Sequence, residues 1–357
     1  MNATSINSIS AKRLSWLDDA KMFAILAVIF YHCVPSELTN AGDVKGIIGS
    51  FNMPFFMFLA GFTSVTSLEK NTSWSNYWQY VIKIALHLLL PTFAIGILRA
   101  ILTLDIAAIG NEQWFLKMLF RYLLVFATIN WLVHSIITFI HRNKTSINIS
   151  HRWTYIKYPV FVLLMFFLSK TKLPEFPFYF LFGYFCKKHQ VPSIIMRLRS
   201  HKVFWPCYIM IMLSTIVLIY SMWALSRGHD FYNEPFWVLY KQCITIYYLF
   251  RQLCAFGWIL LLLPLFLFLS KKYTWFSYCG SKSLGLYITH TFLLHIVIEP
   301  LHINYTNNYM GWISASLIFI ALTLSSLILI KLFESNRYIH FIFLGGGTSV
   351  LKSKAKQ

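Results

Sequence analysis

The chain has 357 residues, 57% of them hydrophobic and 12% charged, with a formal net charge of +19. A soluble domain carries about 25% charged residues, so this composition lacks the polar surface that keeps a fold in water. It also excludes a nucleic-acid-binding face, because the basic residues are scattered between apolar runs rather than gathered on a soluble surface.

The 33 Phe and 20 Tyr suit lipid-facing and interfacial positions. No polar block is long enough to fold separately. We divide the chain into an N-terminal cytoplasmic segment (1–12), a membrane domain (13–340) and a basic tail (341–357). The polar start reaches Arg13 without a cleavable signal pattern, so the first apolar segment is expected to stay in the mature protein. The six cysteines stand singly, with no CxxC or Cys/His spacing, and read as buried thiols rather than metal ligands.

A bilayer-crossing helix needs about 20 mostly apolar residues. In chain order the candidates fall near 20–35, 47–67, 77–104, 114–140, 155–169, 176–186, 203–225, 241–269, 283–299 and 311–333. The fifth and sixth are short and also fit one bent hairpin. Charge placement supports an even count. Of the 31 Lys and Arg, four (Arg99, Lys117, Arg121, Arg251) fall inside spans and five (Lys45, Lys170, Lys172, Arg227, Lys241) face outward if the N-terminus is cytoplasmic. That leaves 22 facing inward, Lys157 among them. The expected fold is an all-α membrane protein of about ten transmembrane helices with both termini cytoplasmic.

The first span carries Asp18, Lys21 and His32. Lys21 and His32 are eleven residues apart, about three helical turns, so they share a face and lie ~16 Å apart along the axis. Asp18 lies one turn before Lys21, within pairing reach. An ionisable group inside a span defaults to a functional reading; a helix-end histidine satisfied by an interfacial partner, and a lysine that merely anchors the helix, are the plain alternatives. In the second span Pro54 frees a backbone carbonyl and Gly61 permits close helix approach. Lys117 and Arg121 lie four apart on one face, and Arg251 is deeper. Such charges are expected to face a watery chamber.

Asp18-x-x-Lys21, ten residues, then His32 resembles the opening motif of the acyltransferase-3 family of bacterial integral-membrane O-acyltransferases. Met53-Pro54-Phe55-Phe56 with Ala60-Gly61-Phe62 is similar to that family's second-span stretch, with Ala60 where serine is usual. Trp114-Phe115-Leu116, Phe180-Leu-Phe-Gly183-Tyr184 and Gly280-Ser-Lys-Ser283-Leu-Gly-Leu-Tyr287-Ile-Thr-His290 follow in the family's order. The family often has paired arginines before a proline on the approach to the third span. Here Lys83 and His87 precede Pro91. Gln113 stands where a histidine commonly precedes Trp-Phe-Leu, and no extracytoplasmic hydrolase-like domain is appended.

The resemblance implies a multi-pass protein of the bacterial cytoplasmic (inner) membrane. Such a protein moves an acyl group, most often acetyl, from cytoplasmic acyl-CoA (acetyl-CoA) to a hydroxyl of a lipid-linked or nascent envelope glycan. Acyl-CoA is then a co-substrate, with no tightly bound cofactor and no metal. His32 is the expected catalytic residue, as general base or covalent acyl acceptor, with Asp18 positioning Lys21 beside it. Lys21, Arg13, Lys83 and His87 are expected to hold the anionic donor. His290, Tyr287, Trp114, Lys117, Arg121 and Arg251 are expected on the substrate side, while His295 is read as structural. A multispan transporter or a glycan flippase is the alternative. No internal repeat pairs the two halves of the chain, which speaks against a transporter.

Overall fold

The computed structural model describes residues 14–36, 38–106, 113–142, 155–168, 176–226, 244–270, 272–298 and 308–346. Helices stand at all ten predicted span positions. They are α1 (Ser15–Cys33), α2 (Ala41–Glu69), α3 (Trp74–Thr103), α4 (Trp114–Arg142), α5 (Lys157–Leu168), α6 (Phe176–Lys188), α8 (Phe204–Ser226), α9 (Ile244–Leu269), α11 (Ser283–Ile298) and α12 (Asn308–Ser335). Three short helices join them: α7 (Val191–Leu198), α10 (Trp275–Gly280) and α13 (Arg337–Leu344). Arg13 and the segment 1–12 lie outside the described residues, as do 347–357 of the tail.

Among the described residues six helices are long and apolar enough to cross a bilayer: α2, α3, α4, α8, α9 and α12. The protein is therefore an integral membrane protein with several spans. Charge and length explain why other predicted spans fall short. α1 carries Asp18, Asp19 and Lys21 within its 19 residues, and α6 has 13 residues and ends on Lys187 and Lys188. α5 and α11 are apolar but shorter, at 12 and 16 residues.

Helices α1 and α2 occupy the centre. α1 touches α2, α9, α10, α11 and α12, and α2 packs on α4, α6 and α9. Burial follows this order. α1 hides side chains around its circumference, including Ala24, Ile25, Val28 and Ile29. The peripheral α8 instead exposes Ile209, Met210, Leu213, Ile216 and Val217. Apolar side chains on an outer surface at this density suit acyl chains as solvent.

The α2–α6 crossing is close, and two glycines make it so. A Cβ on Gly61 would strike the carbonyl oxygen of Phe180, and a Cβ on Gly183 would strike that of Phe58. The two sequence stretches Ala60-Gly61-Phe62 and Phe180-Leu-Phe-Gly183 are the two halves of one contact. Pro54 sits inside α2 without ending it. One turn earlier, Ser50 is buried and accepts a hydrogen bond from the Trp258 indole of α9 at 3.1 Å, so polar groups near the proline are satisfied across the interface.

Lys157, read from the sequence as a charge at the cytoplasmic end of the fifth span, is buried on α5. Its Nζ donates to Asn130 Oδ1 at 2.8 Å, and the Asn130 amide donates to the Leu68 carbonyl at 3.0 Å. It ties α5 to α4 and α2.

Substituting Gly183→Ala should destabilise the bundle by about 1–3 kcal/mol through overpacking. Gly42→Ala, where an added Cβ meets nothing within 4 Å, should leave it unchanged. Thermal unfolding of both variants in detergent checks this; equal stability would mean that the crossing yields easily.

Candidate active site

The site begins at the N-terminal turns of α1. Asp18 is buried, and its Oδ1 lies 3.4 Å from Lys21 Nζ. The neighbouring Asp19, also buried, accepts a hydrogen bond from Ser277 Oγ of α10 at 2.5 Å. Thr274 and Ser277 form a capping box that starts α10. α10 then runs close beneath α1, because a Cβ on Gly280 would collide with the Asp18 carbonyl. The glycine of the Gly280…His290 motif is therefore there to seat α1. Lys282, two residues on, pairs with Glu334 of α12.

A cavity of about 560 Å³ opens beside Lys21. Lys83 and His87 of α3 lie at the same end, so three of the four residues expected to hold an anionic donor share one wall system; Arg13, the fourth, is outside the described residues. From α2 come Ala60, Thr63, Ser64 and Ser67. The hydroxyls of Thr63, Ser64 and Ser67 donate to carbonyls one turn back and keep lone pairs for a ligand. Ala60, standing where a serine is usual in the resembling family, is on this wall and adds no hydroxyl. From α4 come the apolar Phe115, Leu116, Leu119 and Leu123, and from α11 Ser283, Leu284 and Tyr287.

Tyr287 marks the deep end. Its ring centre is 5.7 Å from Phe115 and 5.6 Å from His290, one turn further along α11. His290 is fully buried. Its Nδ1 lies 2.8 Å from the Leu286 carbonyl, which can only accept, so Nδ1 carries the proton and Nε2 keeps its lone pair. That Nε2 is buried with no hydrogen-bond partner among the described residues. The His32 ring centre lies 5.7 Å from that of His290, with the planes inclined at 43°. His32 is exposed and does not itself line the cavity; it faces the cavity's deep end through His290 and Tyr287.

Other expected substrate-side residues lie elsewhere. Lys117 and Arg121 are not in the cavity wall, and helix geometry gives the reason. At 100° per residue they project about half a turn away from the face that presents Leu119 and Leu123. Among the described residues none of α9 lines the cavity, which leaves Arg251 outside it. Trp114 is 46% exposed and stacks on Phe176 instead. His295, in the π-helical turn Leu294–Ile298, is not in the wall either.

Several wall residues escaped the sequence reading. Tyr80, Phe341, Gly345 and Gly346 line the cavity, as does the hydroxyl ridge of α2. The ridge has a legible signal, since 60, 63, 64 and 67 recur at helical spacing. The others have none, because nothing in the sequence says which helix they meet.

The acyltransferase domain family matches residues 14–331, most of the chain. The chain belongs to the acyltransferase-3 family. No curated protein and no solved structure matches it. The family match begins at the α1 turn that holds Asp18 and ends within α12, so it takes in Lys21, His32, Lys83, Tyr287 and His290. Membership makes the protein a membrane acyltransferase.

The link between Asp19 and Ser277 should matter to the site more than to the surface. Ser277→Ala is expected to cost about 1.5–3 kcal/mol, the worth of a buried hydrogen bond to a charged group. Unfolding in detergent measures it, and a loss below about 0.5 kcal/mol would mean Asp19 finds another donor.

Proposed function

We propose that this protein is an O-acyltransferase of the bacterial cytoplasmic membrane, with about ten spans and both termini in the cytoplasm. In this reading it transfers an acyl group, chiefly acetyl, from cytoplasmic acyl-CoA to a hydroxyl of a cell-envelope or surface polysaccharide. One observation carries the reading. One cavity is lined both by the cationic Lys21 and Lys83 and by the buried Tyr287, which packs beside a pair of imidazoles contributed by α1 and α11.

The chemistry follows from that arrangement. CoA bears several phosphate charges, which suit two ammonium groups at the mouth. Asp18 holds Lys21 in place and keeps one carboxylate from facing the donor alone. The apolar α4 face suits the body of the donor, and the thioester end points toward Tyr287.

A sugar hydroxyl is too weak an acid to attack a thioester at neutral pH unaided. An imidazole that takes its proton as the new bond forms contributes about 10²–10⁴ in rate. His32, exposed and with its ring beside that of His290, is open to an acceptor sugar that meets the thioester there. His290, buried and with its Nε2 lone pair unoccupied, is placed to orient His32 directly or through one water. The acceptor oxygen bonds to the acyl carbon, the carbon–sulfur bond breaks, and the proton taken by His32 passes to the departing CoA thiolate. In this scheme His290 is a positioning residue and His32 the catalytic one.

His32→Ala should lower transfer by at least about 10², with yield and unfolding unchanged. Purified protein, radiolabelled acetyl-CoA and lipid-linked glycan measure it as label in the glycan. Full turnover by that variant would remove His32 from the mechanism, and counterflow of unmodified solute in liposomes without labelled glycan would make the protein a transporter. Lys21→Ala should raise the acyl-CoA KM about tenfold with kcat largely kept, as expected for loss of a charged binding contact. An unchanged KM would leave Lys21 as an anchor.

A further inference from the structure

Helix α13 lies beyond the residues that match the acyltransferase-3 family. It starts at Asn336, whose Oδ1 accepts from the backbone N–H groups of Tyr338 and Ile339 at 2.9 and 3.3 Å. Phe343 stacks on Phe333 of α12, with ring centres 4.9 Å apart. The helix then stops at Gly345 in the left-handed region (φ 64°) and folds against α3. The sequence boundary drawn at 340 therefore cuts through a packed helix.

This helix and its turn contribute Phe341, Gly345 and Gly346 to the wall of the cavity that Lys21, Lys83 and the hydroxyl ridge of α2 also line. The turn is held by His87, whose Nδ1 lies 2.8 Å from the Gly345 carbonyl and so donates to it. The approach is close. A Cβ on Gly345 would strike the backbone carbonyl of His87, and the positive φ disfavours any other residue there. His87 itself sits in the π-helical turn Ala85–Leu89. Pro91, four residues on, has no N–H to give to the His87 carbonyl, which accounts for the widened turn.

We infer that α13 and the Gly345–Gly346 turn are the wall against which the acyl donor lies, and that His87 anchors this wall instead of contacting donor phosphate. The inference rests on the acyl-CoA reading above. Its chemistry suits the pantetheine arm, a slim chain carrying amide groups. The lining offers hydroxyl lone pairs from α2 and peptide backbone free of side chains at Gly345 and Gly346, both suited to the amides of the arm, whose phosphates then lie at Lys21 and Lys83. Gly345 and Gly346, which carry no side chains, keep bulk out of the slot.

Two measurements on the full-length protein test this. Gly345→Val should raise the acyl-CoA KM about tenfold or more while kcat changes far less, and His87→Ala should raise it about three- to tenfold, as loss of one anchoring hydrogen bond implies. A cysteine placed by Phe341→Cys should react with a maleimide in the absence of donor and be protected by saturating acetyl-CoA, followed on the peptide that contains position 341. Suppose the wild type transfers acyl groups, yet Cys at 341 reacts equally with and without acetyl-CoA and Gly345→Val keeps its KM. The wall assignment is then wrong, while the enzymatic reading stands. If the wild type neither transfers acyl groups nor shows protection, both fail.

Discussion

Two adjacent carboxylates buried at the start of α1 constrain the whole arrangement. Removing a carboxylate from water costs several kcal/mol unless it is paired and hydrogen-bonded. Asp18 pairs with Lys21 one turn along its own helix, whereas Asp19 reaches across to Ser277 on α10. That second bond, with Gly280 tucked beneath the Asp18 carbonyl, fixes α1 against the segment leading into α11. Both helices are stiff, so the register set at this end is carried three turns along to where His32 meets His290. The imidazole pair is a consequence of how the far end of α1 is satisfied.

The cavity is asymmetric for reasons that lie in single residues. On α2 the sequence of Ala60, Thr63, Ser64 and Ser67 turns one helix face polar without placing a charge in the bilayer. On α4 the opposite holds. Leucines and a phenylalanine face inward, while Lys117 and Arg121 project from the other side of the same helix. On α3 a proline widens one turn, and that turn carries His87 to the backbone of Gly345. Basic residues at the mouth, hydroxyls along one flank and an apolar far wall form a gradient from charged to apolar. An amphipathic donor with a phosphate head and a thioester tip fits that gradient.

Much of the central helix was legible beforehand. The eleven-residue spacing of Lys21 and His32 and the one-turn reach of Asp18 are properties of a single helix, and helical periodicity is local. The glycines of the second and sixth spans were legible only as small residues that permit approach; that Gly61 meets the Phe180 backbone and Gly183 the Phe58 backbone is a pairing between segments more than a hundred positions apart. Lys157 shows the same limit from the other direction. Its flanking sequence reads as a charged helix end, yet Asn130 Oδ1 on a neighbouring helix accepts its hydrogen bond and draws it inside.

Composition and periodicity alone determined that this is a helical protein of the bilayer, and the ordered motifs placed it in its family. They also singled out the lysine and histidine of the first span. Only the tertiary structure decided that His290 stands beside His32, that Lys83 joins Lys21 at one cavity, and that Lys117, Arg121 and Arg251 do not. It also decided that the chain's last described helix returns to wall that cavity. The physical reason is that a helix face follows from its own residues at 100° each, whereas the partner of that face follows from packing, where close backbone approach and the need to satisfy buried polar groups outweigh local preference.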